Sequence, residues 1–195
     1  MFALWMFGNQ LENIWGSKRF LIYFLLTGLG AALLHISVTQ IQIFILESKM
    51  SADQIIHVKN IGYECWNEMR LLISQNKGGI NNSFFFNYGI NSQNTLDLIQ
   101  LYHTPTVGAS GAVFGLLLAF GMLFPNTIIY LYFAIPLKAK YFVIFYGIAE
   151  LYLGIQNNSG DNTAHFAHLG GMIFGYFLFP GLFWHELSVS GPEAS

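Results

Sequence analysis

Charge is scarce in this sequence. Asp, Glu, Lys and Arg make up 9% of its 195 residues, against roughly 25% in an ordinary soluble domain, while 54% are hydrophobic and 17% aromatic. That shortfall excludes a soluble globule, whose surface needs charge to stay wetted. A net charge of -2 and no run of Lys or Arg leave no basic field, which excludes nucleic acid as a partner. Cysteine occurs once, at Cys65, so neither an internal disulfide framework nor a Cys-rich metal site is possible; Cys65 reads as a small apolar residue of a loop helix. An ordinary signal peptide is lacking too. Met1 to Phe7 is apolar, but no basic residue precedes it and Asn9, Gln10 and Glu12 interrupt it early. This start reads as the end of a membrane helix.

Because the few charges are clustered, long apolar stretches remain over Phe20 to Leu46, Ala109 to Phe124, Tyr141 to Leu153 and His165 to Trp184. Such stretches are membrane spans, and together they predict an all-α, polytopic membrane helix bundle over 1–185. An outer loop insertion occupies about 47–107, and 186–195 is a short cytoplasmic tail. Lys18 and Arg19 stand in the turn after the first segment; Lys138 and Lys140 stand before Tyr141. The chain between these pairs crosses once outward and once back, so both basic turns are cytoplasmic. The connection Gln156 to Thr163 carries Asp161 and neither Lys nor Arg, as an outside loop should. In the long outer stretch, Ser51 with Gln54 makes a capping-box start. Ile55, Val58, Cys65, Met69 and Leu72 then repeat at roughly helical spacing, which predicts an amphipathic surface helix. Asn76 to Asn94 reads as a loop whose Phe84, Phe85 and Phe86 either dip into the interface or pack on the protein. Thr95 to Tyr102 is a further short helical stretch, ended by Pro105.

Two places carry chemistry. The first is Gly108-Ala109-Ser110-Gly111-Ala112-Val113-Phe114-Gly115, a serine between glycines where a loop becomes a membrane helix. Alone it is a weak signal, because Gly111 and Gly115 equally make a small-xxx-small packing face. The second is Ala164-His165-Phe166-Ala167-His168-Leu169-Gly170-Gly171, followed by Gly175, inside the last span. Histidine within a membrane helix is costly and is by default a functional hypothesis. His165 and His168 share one helix face and could bind a metal, but no carboxylate or third histidine completes a set, Asp161 being the nearest candidate. Taken together the two places complement each other, since a serine becomes a nucleophile when a neighbouring base takes its proton. Gly111 and Gly115 on one helix, with Gly171 and Gly175 on the other, remove the side chains that would hold the backbones apart. Ser110 and His168 can then meet a few residues below the outer face. Asp161 precedes His168 by seven residues, about 10 Å along a helix, too far to orient the ring, so a dyad is favoured over a triad. Glu150, in mid-span, is assigned a structural hydrogen-bonding role, and His35 and His103 packing or loop roles.

The Ser110 segment, and His168-Leu169-Gly170-Gly171 with Gly175, resemble the signatures of rhomboid intramembrane serine proteases; Leu11-Glu12 with Gly16 and Arg19-Phe20 resembles the end of that family's second helix. The resemblance spans almost the whole chain, in the family's order. It implies the rhomboid fold from its second to its sixth helix, with Ser110 as nucleophile and His168 as general base of a dyad. Phe114 holds the place of the aromatic residue that packs on the catalytic ring, Gly115, Gly171, Gly175 and Glu12 support the site, and His165 has no counterpart. It implies transmembrane proteins as substrates, a lipid bilayer as surroundings, a bacterial inner membrane as location, and no metal or cofactor. The family's first helix and HxxxN motif, whose side chains help form the oxyanion hole, are not present; by alignment to Glu12 the Asn falls about one residue before Met1. Met1 is therefore expected to be an internal methionine of a longer protein. The hole of this chain is expected to rely on backbone N–H groups at Gly108, Ser110 and Gly111. Losing one donor costs roughly 100- to 1000-fold in rate, so a catalytically impaired protein that binds transmembrane clients is the alternative. A pseudoprotease would lack Ser110 or His168, and a transporter would have related halves, of which the sequence holds no trace.

The basic pairs generate a topological prediction. In a Cys65→Ala background, a cysteine replacing Asn81 reacts with a membrane-impermeant thiol reagent from outside intact cells, and one replacing Lys138 does not; the reverse labelling overturns the orientation.

Overall fold

The long apolar run over Phe20 to Leu46 contains no proline, and it lies within one helix, α2 (Ser17–Glu47), of 31 residues. At 1.5 Å per residue this spans about 46 Å, more than the roughly 30 Å of a bilayer's hydrocarbon core. Only 22% of its most apolar window is buried inside the protein. Leu21, Leu25, Leu29 and Leu33 follow at intervals of about one helical turn and are all exposed, an apolar stripe of the kind a membrane helix turns to lipid. Among the described residues α2 alone is both long and apolar enough to cross a membrane on those two counts. The computed structural model describes residues 2–75, 82–90, 92–103, 109–131, 135–156 and 165–189, with the side chains of 2, 82, 83, 131, 135 and 181–189 left undescribed. Within these the architecture is all-α apart from one hairpin.

The chain divides into two units, 1–36 with 107–195, and 37–106. In the first, α1 (Phe2–Trp15) ends at Gly16, whose positive φ of 75° is the left-handed conformation that glycine adopts without strain; its N–H closes the last turn on the Glu12 carbonyl. The beginning of α2 follows, then α6 (Ser110–Leu123), α7 (Ala139–Gln156) and α8 (His165–Val189). Helix α6 is the centre of this unit: Gly111, Ala112, Gly115, Leu116, Leu117, Ala119, Phe120 and Gly121 are all buried. Its apolar residues share a core with Phe7, Leu11, Trp15, Tyr23, Val143 and Phe179. Helix α8 packs on α6 backbone to backbone. A Cβ added at Gly171 would lie 1.8 Å from the Gly111 carbonyl oxygen, and one at Gly175 would lie 2.6 Å from the Tyr23 hydroxyl and 3.3 Å from the Gly115 Cα. The same hydroxyl donates to the Gly115 carbonyl at 3.1 Å.

The hairpin between α6 and α7 departs from the expected run of helices. Strand β1 (Ile128–Leu131) pairs antiparallel with β2 (Ile135–Lys138), Ile129 opposite Leu137, and the Ala139 N–H donates to the Thr127 carbonyl at its mouth. The β-branched and aromatic run Ile128-Ile129-Tyr130 is the signal that the sequence offers for it. With only two strands, every residue lies on an edge, and Pro136 fits there despite its missing N–H.

In the second unit, Ser51 caps α3 (Ala52–Ser74). Its hydroxyl accepts from the Gln54 N–H, and the Gln54 side chain accepts from the Ser51 N–H, the reciprocal pair the sequence predicts. Val58, Cys65, Trp66 and Met69 pack with Phe84, Ile90, Leu98 and Ile99. The stretch expected as a loop contains a short helix, α4 (Asn82–Asn87), in which Phe84 is buried and Phe86 is 82% exposed; residues 76–81 and 91 lie outside those described. Phe85, edge-on to Phe84 at 5.4 Å, is half-buried against the same core, so two rings of the triplet pack on the protein and the third faces outward. Helix α5 (Gln93–His103) completes the unit, and Pro105 lies outside the described residues. Burial pushes the Cys65 thiol up to about 11, which keeps it protonated and unreactive.

The glycine crossing yields a stability prediction. Gly171→Ala forces its methyl into a carbonyl oxygen and destabilises the protein by about 3 kcal/mol. Gly147→Ala, whose methyl meets only the flexible Met172 Cε at 3.2 Å, shifts stability by less than about 0.5 kcal/mol. Thermal unfolding in detergent measures both, and equal effects would contradict the packing described.

Candidate active site

Helix α6 opens at Ser110, preceded by Ala109, which offers no side-chain cap. Among the described residues no side chain caps the N–H groups of its first turn, which point beyond the helix end. Ser110 is exposed there. The residue that follows it, Gly111, lies against the Ala167 carbonyl, 2.9 Å from an added Cβ, and Ala167 precedes His168. The tight crossing of α6 and α8 thus sets the residue after the serine against the residue before the histidine. Among the described residues no hydrogen bond joins Ser110 to His168, and catalytic hydrogen bonds are commonly long before substrate binds.

His168 is 8% exposed, and its ring is held on two sides. Phe114, one turn below Ser110 on α6, stacks on its face with centroids 4.1 Å apart and planes 9° from parallel. Tyr146 of α7 backs that phenyl ring at 5.3 Å. At the edge of the imidazole lies the carboxylate of Glu150. One oxygen, Oε2, is 2.6 Å from the His165 Nδ1 and 3.0 Å from the His168 Nδ1. The contact to His165 is a hydrogen bond; that to His168 has ion-pair distance but falls outside hydrogen-bond directionality, leaving Nδ1 without another partner. All three groups are buried. The histidines stand in the first turn of α8 and the glutamate in the second half of α7, so the packing of α7 on α8 is what assembles them.

This cluster corrects the sequence reading on one point. A carboxylate does accompany the two histidines, and their ligand atoms lie within 4.8 Å of one another. A metal with ligand bonds of about 2.0 Å would hold tetrahedral donors roughly 3.3 Å apart. The 2.6 Å between Oε2 and Nδ1 is instead the length of a charge-assisted hydrogen bond. Of the other residues singled out, Gly115, Gly171 and Gly175 form the helix crossing, whereas Glu12 is half-buried on α1 and no hydrogen bond or ion pair among the described residues joins it to the cluster. Gly108 and Asp161 lie outside the described residues. His103 packs edge-on to Tyr63 and Tyr102 in the second unit, where burial lowers its affinity for a proton.

A family model described as the Rhomboid domain matches residues 1–45 and 69–185, more than half of the chain. Among curated proteins, an uncharacterized mitochondrial rhomboid protein of Schizosaccharomyces pombe is 37% identical over 95 residues. The match covers 46% of this chain and 24% of that relative, so the chain spans about a quarter of the relative's length. No solved structure matches.

Proposed function

This chain belongs to the rhomboid family, and from that membership we propose that it is an intramembrane serine endopeptidase cleaving transmembrane proteins with Ser110 as nucleophile and His168 as general base. Its placement in a membrane follows from the family and from the exposed apolar stripe of α2. The observation that carries the catalytic reading is the stack of Phe114 on His168, one turn below Ser110, over the crossing where two helix backbones touch. Helix α6 has 14 residues, about 21 Å, shorter than the roughly 30 Å hydrocarbon core. Its start at Ser110 therefore sits beneath the interface, within reach of a substrate helix, while the exposure of Ser110 admits the water that hydrolysis consumes.

In this mechanism the Ser110 hydroxyl proton passes to Nε2 of His168 as Oγ attacks the scissile carbonyl carbon. The oxyanion that forms faces the uncapped N–H groups at Ser110 and Gly111, with Gly108 as a further donor. The imidazolium then gives its proton to the leaving amine, and water, deprotonated by the same ring, releases the acyl group from Ser110. No step of this mechanism calls for a metal or cofactor. The proposed location is a bacterial inner membrane, although the Schizosaccharomyces pombe relative is named as mitochondrial.

Co-expression with a transmembrane reporter tests the assignment. Ser110→Ala and His168→Ala each abolish cleavage, while His165→Ala, which removes a partner of Glu150 and not the base, lowers it without abolishing it. A dead His165→Ala with a live His168→Ala would show that the base is wrongly assigned. A wild-type protein that captures the reporter without cutting it would favour client binding over proteolysis.

A further inference from the structure

Glu150 is a buried ionisable group for which the Ser110–His168 reading has no use. A carboxylate in the middle of an apolar helix carries a heavy desolvation cost unless it is paired and hydrogen-bonded. Here a single oxygen, Oε2, faces two imidazole Nδ1 atoms at 2.6 and 3.0 Å. A protonated carboxyl would donate its one O–H to one ring and accept from the other, which leaves the first ring acceptor-only at Nδ1 and carrying its hydrogen on Nε2. An ionised carboxylate accepts from both, provided that both rings carry their hydrogen on Nδ1. The contact to His165 is already a hydrogen bond, and His168 Nδ1, at 3.0 Å but off the hydrogen-bond direction, reaches the same oxygen with a small turn of its ring. That arrangement places the lone pair of the neutral His168 ring on Nε2.

Resting on the dyad reading, we propose that Glu150 is the positioning residue of this site: it takes the Nδ1–H of His168 and so holds the ring in the tautomer whose Nε2 serves Ser110. His165 is the second donor to the same oxygen and keeps the carboxylate in place when His168 turns toward substrate. The geometry around the ring leaves no other candidate among the described residues. Phe114 occupies one face of His168 with planes 9° apart. His165 stands perpendicular to it at 6.4 Å, on the far side of the shared carboxylate. Two of the ring's contacts thus fix its plane, and the third, at Nδ1, fixes its rotation within that plane and its proton. Because Glu150 stays on α7 while both histidines lie on α8, the catalytic ring is steered by a helix other than its own. The site is then a triad in function, with the acid supplied from the neighbouring helix.

The test uses the whole chain, purified in detergent with ring-15N-labelled histidine, as wild type, Glu150→Gln and Glu150→Asp. Glu150→Gln lowers kcat by about 100- to 10,000-fold, as when the acid of a serine-protease triad becomes its amide, with KM unchanged within about threefold. Glu150→Asp recovers part of the rate. In the nitrogen spectrum, wild-type His168, identified by its loss in His168→Ala, shows a protonated Nδ1 and an unprotonated Nε2, and Glu150→Gln shifts it toward the opposite tautomer. A merely structural role would lower the yield of folded protein without changing the tautomer or separating kcat from KM. An unchanged kcat in folded Glu150→Gln, or a wild-type His168 protonated on Nε2, overturns the proposal. The spectrum needs no substrate: a wild type that cleaves nothing would sink the protease reading, while the tautomer would still decide this one.

Discussion

Everything at the candidate site depends on one contact, the approach of the α6 and α8 backbones at Gly111 and Gly171. With 1.8 Å between an added Cβ and the opposing carbonyl oxygen, no other residue fits at Gly171 without moving a helix. In a bilayer, lipid chains are as apolar as leucine, and close van der Waals contact between small residues is a main source of helix association. The same contact sets the spacing between the start of α6 and the first turn of α8. Gly111, next after Ser110, and Ala167, just before His168, meet there because the helices carrying them are in backbone contact. Tyr23 locks the crossing one turn lower by donating its hydroxyl to the Gly115 carbonyl, which satisfies a buried polar group that a membrane would otherwise leave costly.

Above that crossing the site is built in successive contacts from three helices. Helix α6 supplies Ser110 and the stacked Phe114, α8 supplies both histidines, and α7 supplies Glu150 with Tyr146 behind the stack. The proposed nucleophile, base and acid therefore come from three separate helices, and their alignment rests on how those helices pack. A buried carboxylate shared by two imidazoles is a polar network of high stakes, rigid when every member is satisfied and strongly destabilising when one is removed.

Much of this is legible in the residues. Glycines spaced four apart on two apolar segments announce a close crossing, and a serine at the head of one with a histidine in the other gives the crossing a chemical purpose. Ser51 and Gln54 announce the start of α3 because a capping box is a local device that needs no tertiary context. What the residues conceal has physical causes as well. The Ile128–Lys138 hairpin is short, and its alternation is hidden among apolar residues on all sides. The helix over Phe84 to Phe86 has six residues, too few for any periodicity to be read. Glu150 stands out as an ionisable residue in a span, but its partners are set by the rotation of α7 against α8. Asp161 is the nearest carboxylate along the chain, whereas the acid beside His168 comes across from another helix, and sequence distance says nothing about that.

The claim that Ser110 is a nucleophile activated by His168 is tested most directly by covalent capture. The purified protein is treated in detergent with a lipophilic fluorophosphonate, digested, and its peptides are weighed by mass spectrometry. One phosphonyl adduct is expected, on the peptide containing Ser110, and it disappears in folded His168→Ala. An adduct on another serine, or an adduct at Ser110 that survives the loss of His168 undiminished, would contradict the claim.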